Sequence, residues 1–359
     1  MEQEVACNAL RVDPQASVFD RVLQAQIISN LTLARFLCKT PVAEEFLVQL
    51  EEWVTAGFAG ALVYAWFRLG KTCGVLWALK QLSEFLGFHV GFMRVSARDG
   101  LPSERLLFFR HLLKCTNNRH AATVRGETNV RDALEDFLVV EALKSPIRTF
   151  IMFIDEAQVL NKEQCLWLRE LDNDVSERGC RLFLLPEGDM GLPALRKYLI
   201  DEGKEQCVAR SMSGEYMYRG LRTEEELTEM LNSLTELEVV PNTGYNIKTL
   251  FRSVGGIELD VPSLGKTMWA EFSRQWKDAG LGDLELGMHY ACLATSLTCT
   301  KTQKLGWRVQ PGDALVRQAI NGCGLMQCIE IRLAHTKNPP SRLPTAAVRA
   351  MTGQHVPRQ

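Results

Sequence analysis

The sequence predicts an α/β domain built on a mostly parallel sheet flanked by helices, and three observations carry that prediction. Short apolar runs with β-branched and aromatic members alternate with helical segments of about 12 residues, the pattern of strand–helix–strand units. A glycine-lysine-threonine loop, "AWFRLGKT" from Ala65 to Thr72, stands between one such run and a helix. Another run, "RTFIMFIDEAQ", carries the adjacent acids Asp155 and Glu156 near its end.

Taken in order, residues 18–55 read as helices. "SVFDRVLQAQIISNLTLARFL" has apolar residues three and four apart, and "PVAEEFLVQLEEWV" opens on a proline, a good first-turn residue. "GALVYAW" is a buried strand, and "CGVLWALKQLSEFLG" is a helix closed by Gly87. "FHVGFMRVSA" is a second strand, and "SERLLFFRHLLKC" is a helix capped by Ser103. A polar, basic loop, "NNRHAATVRGETN", leads to the helix "VRDALEDFLVVEALK", which stops before Pro146. The strand "RTFIMFIDEAQ", the helix "KEQCLWLRELDNDVSERG" and the strand "CRLFLLPEGD" follow. The α/β part spans residues 56–222, after an N-terminal helical extension, residues 1–55. A helical lid begins at "TEEELTEMLNSLTEL" and covers 223–280. Residues 281–359 are a C-terminal addition that mixes apolar segments with glycine and proline and ends in a basic tail.

Hydrophobic residues make up 46% and charged residues 23%, values of a soluble globular chain with a substantial core. From Leu286 onward nine Lys/Arg stand against two Asp/Glu, a balance of +7 that leaves −9 for residues 1–285. Such a tail suits either an acidic partner such as nucleic acid, or plain solvation. The eleven cysteines include no C-x-x-C pair, and the Cys323–Cys328 spacing suits no common zinc site. Without a basic and then apolar N-terminal leader, they read as reduced thiols of a cytoplasmic protein. The longest uncharged run, Trp53 to Phe67, has 15 residues and contains two glycines, too short to cross a bilayer. The histidines are scattered without metal spacing.

The glycine-lysine loop reads as a phosphate cradle. After a strand and before a helix, backbone N–H groups of Ala65, Arg68, Leu69, Gly70, Lys71, Thr72 and Cys73 can wrap a phosphate, and the helix N-terminus adds positive potential. Lys71 would reach the β- and γ-phosphates of ATP, and the Thr72 hydroxyl would ligate Mg²⁺. Alanine stands at position 65 where such loops usually have glycine. If that residue needs a positive φ, the cost is about 1 kcal/mol. The second motif matches the first. A buried strand delivers Asp155 to hold Mg²⁺ through water and Glu156 to polarise an attacking water.

"AWFRLGKT", "FIDEAQVL", "CRLFLLPEGD" and "CVARSMSGEYMYRGLRTEEELTEML" together resemble the TnsC/TniB family of AAA+ ATPases, regulators of DNA transposition. The resemblance covers about residues 55–270, with "DEAQ" and "GLRTEEEL" its more specific pieces. It implies an AAA+ P-loop core and an ATP-dependent homo-oligomer, a ring or filament on duplex DNA, bound without sequence preference. That assembly would link a target-selection protein to a transposase, with hydrolysis resetting it and no role for a membrane. By likeness, Gln158 belongs with the nucleotide-binding residues as the last letter of "DEAQ". Arg210 matches the arginine that reaches a neighbouring subunit's γ-phosphate, although a surface ion pair would equally explain it, and Arg196 and Arg219 are rivals. The basic loop, with Lys114, Asn117, Asn118, Arg119 and Arg125, corresponds to the region that tracks DNA phosphates, or is simply solvated. Lys301, Lys304 and Arg308 could add contacts, while Trp307 is expected to pack inside the last domain.

Three departures from the family pattern predict secure binding with slow turnover: Ala65, Leu185-Pro186 where a polar residue should end the fourth strand, and Glu258 where the lid should offer an arginine. Two other functions share these motifs. One is an origin-recognition or helicase-loader ATPase with robust DNA-stimulated turnover, and the other a STAND-type signalling switch without DNA binding.

Overall fold

The computed structural model describes residues 37–97, 100–116, 124–238 and 244–337. The predicted helix ahead of residue 37 and the tail beyond 337 lie outside them. The chain divides into two compact units. Of the described residues, 45–67 and 78–218 form a sheet unit, and 37–44, 68–77 and 219–337 form a helical unit.

The sheet has five parallel strands in the order β2-β3-β4-β1-β5: β1 Ala61–Tyr64, β2 Gly91–Ser96, β3 Thr149–Asp155, β4 Arg181–Gly188 and β5 Gly214–Met217. Every residue of β3 is buried, as a central parallel strand covered on both faces requires. β4 inserts between β1 and β3. Its register sets Glu187 opposite Val63 and Pro186 opposite Ile154.

On one face, helices α3 Arg105–Cys115, α4 Glu127–Leu143 and α5 Lys162–Glu177 bring Phe108, Leu138 and Leu171 into one core with Phe150, Met152 and Ile154 of β3. On β5, Tyr216 stacks edge-on against Phe46 of helix α1 Pro41–Ala56, with ring centres 5.2 Å apart. α5 starts on a reciprocal cap: Asn161 accepts from the Gln164 N–H, and the Gln164 side chain accepts from the Asn161 N–H. The predicted Ser103 cap is not formed. α3 starts two residues later, after Glu104, with no side-chain cap. α4 starts at Glu127, three residues before the predicted position, because Gly126 at φ 84 turns the chain into it. The sheet unit also contains the short helices α6 Leu192–Asp201 and α7 Glu205–Ser211.

In the helical unit, α8 Glu224–Glu236, α9 Ile247–Leu250 and α10 Val261–Asp278 occupy the predicted lid. Beyond it, where the sequence mixes apolar segments with glycine and proline and predicts no elements, stand three helices: α11 Met288–Lys304, α12 Asp313–Asn321 and α13 Leu325–Lys337. Trp307 is buried, but against Phe251 of the predicted lid, 5.0 Å between ring centres, rather than inside the C-terminal addition. No helix of the described residues is long and apolar enough to cross a membrane.

Candidate nucleotide site

The phosphate loop owes its shape to backbone conformation. After β1 the chain turns through Arg68 at φ 65 and Gly70 at φ 94, and helix α2 Lys71–Leu86 starts immediately. Alternation of left- and right-handed residues turns successive N–H groups to one side, a nest for an anion. Arg68 pays the left-handed penalty of about 1 kcal/mol, since it has a Cβ. Ala65 does not. It is fully buried, has no positive φ, and extends the ladder by donating its N–H to the Gly188 carbonyl at 3.3 Å. The strain expected of an alanine at this position is therefore absent. Lys71, Thr72 and Cys73 are half-buried in the first turn of α2, Leu69 is buried and Arg68 is exposed.

Within the helical unit, the start of α11 braces this loop. The His289 N–H donates to the Arg68 carbonyl at 3.3 Å. A Cβ on Gly70 would stand 2.7 Å from Met288, and one on Gly287 would stand 2.6 Å from the Arg68 oxygen. Burial and then the charge of Arg68 push the His289 imidazole below its ordinary range.

The acidic edge is built from side chains. Asp155, 2% exposed at the end of β3, accepts from the Arg94 guanidinium of β2. Glu156 follows in the left-handed region, φ 60 and ψ 40, and leads into a single 3₁₀ turn, Ala157–Val159. Its carboxylate accepts from the Gln158 amide at 2.6 Å. Gln158 in turn accepts from the Asp189 N–H at 3.4 Å, in the turn after β4.

No protein-family model matches the chain, and no curated protein matches it. Solved structures do match. The Aeropyrum pernix ORC1 protein in complex with DNA shares 15% identity at a TM-score of 0.51, over 91% of this chain and 83% of that one. The Aeropyrum pernix ORC2 protein, in its ADPNP–ADP complexes, shares 16% at a TM-score of 0.54, over 87% of this chain and 70% of that one. The fold is that of an α/β AAA+ P-loop core.

The end of the fourth strand differs from the sequence expectation. β4 runs on to Gly188, so Leu185 and Pro186 lie inside it and the last polar side chain is Glu187, fully buried. The sequence expectation sought the polar residue at Leu185-Pro186 and passed over Glu187. The signal was present, because a charged residue within a strand otherwise reading as core needs a reason. In the helical unit, Glu258 is exposed and paired with Arg252.

The three arginines differ in their attachments. Arg210, on α7, is 43% exposed and donates to Asp172 of α5 at 3.1 Å. Burial pushes the Asp172 carboxyl up to about 6, against the pull of Arg210. Arg196 pairs with Glu215 at 2.7 Å, and the same carboxylate accepts from the Tyr64 hydroxyl at 2.7 Å. Arg219 is 15% exposed and clasps both oxygens of Glu226, at 2.8 and 3.0 Å. Glu226 also accepts from the Arg222 N–H at 2.6 Å, while Thr223 caps α8 by accepting from the Glu226 N–H. Burial works against the Glu226 carboxylate, yet these partners hold it below its ordinary range. The "RGLRTEEEL" signature is thus a helix-start clasp, and Arg219 is committed to it.

Of the predicted DNA contacts, Lys114 is exposed on the last turn of α3 rather than in the loop, and Arg125 is exposed just ahead of α4. Asn117, Asn118 and Arg119 lie outside the described residues.

Proposed function

We propose that this chain is an ATP-gated scaffold that assembles on duplex DNA and links a target-selection protein to a transposase. The observation that carries the nucleotide part is the loop itself: Arg68 and Gly70 in the left-handed region directly before a helix that begins Lys71-Thr72. Lys71 would neutralise the phosphates, and the Thr72 hydroxyl and Asp155 carboxylate are the hard oxygen donors that suit Mg²⁺. When bound, Mg²⁺ would offset charge on the phosphates. Glu156 would accept the proton of the attacking water, and Arg210, whose side chain is half-exposed, would exchange Asp172 for a neighbouring copy's phosphate. The transposition part rests on the resemblance in "DEAQ" and "GLRTEEEL" to TnsC/TniB proteins. Lys114 and Arg125 offer two exposed cations for DNA phosphates, which makes binding salt-dependent.

Electron microscopy of the protein with duplex DNA, with and without ATP, tests this reading. Rings or filaments are expected only with both present, and Lys71→Ala is expected to abolish them. Assembly of that variant like the wild type would refute the proposal. The fold neighbours favour a second reading, an origin-recognition type ATPase, since one of them was solved on DNA. Strong DNA-stimulated hydrolysis without extended assembly would select it.

A further inference from the structure

We infer that Gln158 is a positioning residue that sets the orientation of Glu156 from the turn after β4. The inference rests on the proposed reading of Glu156 as the base for nucleotide hydrolysis. Glu156 occupies a left-handed conformation, φ 60 and ψ 40, which a non-glycine residue seldom adopts. That corner sends the chain into the turn Ala157–Val159 and brings the Gln158 side chain back beside the carboxylate two residues earlier.

Both ends of the Gln158 amide are used. Its nitrogen donates to Glu156 Oε2 at 2.6 Å, and its oxygen accepts from the Asp189 N–H at 3.4 Å. A carboxylate only accepts and an N–H only donates, so the two neighbours together define which way the amide faces. The turn is shaped to receive it. A Cβ on Gly188 would collide with the Gln158 oxygen, and one on Gly191 would meet Asp189 Oδ1 at 2.9 Å and Gln158 Cβ at 3.8 Å. Asp189 Oδ1 also accepts from the Gly191 N–H at 2.7 Å, which holds the turn closed. Glu156 is therefore connected through one neutral amide to the exit of β4.

The neighbouring acid shows what the neutral partner is for. Asp155 is tied to a cation, Arg94. Glu156 has a neutral amide instead, which orients it without adding a charge. With Oε2 engaged, Oε1 is the oxygen left for an attacking water. In the step itself the water oxygen bonds to the γ-phosphorus, the bond to the bridging β–γ oxygen breaks, and Glu156 takes the water proton. Gln158 exchanges no proton. Its part is to stop the carboxylate rotating away.

The test uses the full chain with Mg²⁺–ATP, comparing wild type with Gln158→Ala, Gln158→Asn, Gln158→Glu and Glu156→Gln. Steady-state hydrolysis, its pH profile, and the Kd of a fluorescent ATP analogue are measured, with thermal unfolding as a check on folding. Loss of a hydrogen bond to a charged group is expected to lower kcat about 10- to 100-fold in Gln158→Ala, with Kd within about 3-fold. Gln158→Asn, one methylene short, is expected to fall equally. Gln158→Glu sets two carboxylates together and is expected to move the acid limb of the pH profile upward. Unchanged kcat in Gln158→Ala alongside an inactive Glu156→Gln would overturn the inference alone. A parallel loss of Kd would overturn it in favour of a structural or nucleotide-binding role. Wild-type turnover in Glu156→Gln, or none in the wild type, would overturn the reading of Glu156 and this inference with it.

Discussion

The phosphate loop and the acidic edge are held in shape by opposite means. The loop is backbone: two left-handed residues, a helix start, and the start of α11 packed where Gly70 lacks a Cβ. The edge is side chains: Arg94 on Asp155, and Gln158 on Glu156. A backbone site tolerates changes of side-chain chemistry but not added atoms. A side-chain site tolerates small changes of volume but not changes of charge or hydrogen bonding.

Variants at the two sites can break or sharpen that contrast. The largest effect is expected from Glu156→Gln, which keeps shape and removes the base. Turnover should fall by about 100-fold or more with nucleotide Kd unchanged, as read by steady-state hydrolysis and fluorescent-nucleotide titration. Gly70→Ala does the reverse, adding one carbon to the backbone site. At φ 94, and with Met288 only 2.7 Å from the new atom, it should cost about 2–4 kcal/mol of stability and most nucleotide affinity. Denaturant unfolding and the same titration check it. Met288→Gly added to Gly70→Ala removes both the Cβ and the Cγ that lie 2.7 Å from the new atom; if it restores nucleotide affinity, packing alone reserves the glycine. Affinity that stays low in that pair identifies the positive φ as the remainder.

Asp172 sharpens the contrast through pH. Its folded carboxyl lies at about 6, above the ordinary 3.8, because burial disfavours the charge. The unfolded chain ionises first, so stability falls as pH rises from about 4 to past 6 and stays lower above that. Asp172→Asn escapes the loss and should gain about 1–2 kcal/mol at pH 7.5, allowing for hydration of the partly exposed pair, and close to nothing near pH 4. Urea unfolding at both pH values decides it. The smallest effect is expected from Ala65→Gly. Since Ala65 needs no left-handed backbone, the glycine should bring no gain in affinity and lose about 0.5–1 kcal/mol of stability to chain entropy.

Much of this was legible in the sequence. β3 reads as a fully buried strand because all of its residues from Phe150 to Ile154 are apolar, and α5 was read as a helix from Lys162 on, although the Asn161–Gln164 cap that starts it emerged only in the structure. β5 escaped because four residues, Gly214–Met217, carry too little pattern, and their pairing with β1 is a long-range event. α11 escaped for another reason. Its threonines read as helix-indifferent and its apolar residues show no dominant face. Yet Thr295 and Thr302 are buried and donate to the carbonyls four residues earlier, at 2.8 and 2.9 Å, which satisfies them inside the helix. Glu187 was passed over because the polar position was sought at Leu185-Pro186, inside β4.

Local chemistry in the sequence determined the strand–helix alternation, the lysine-threonine helix start and the two acids at the end of β3, because each depends on neighbours within a few residues. Tertiary structure alone decided that Ala65 carries no strain, that Arg219 clasps Glu226 while Arg210 stays half-exposed, and that Gln158 joins Glu156 to the turn after β4. Those outcomes depend on dihedral angles and on groups far apart in the chain, 38 residues in the Arg210–Asp172 pair, which meet only when the sheet and its helices close.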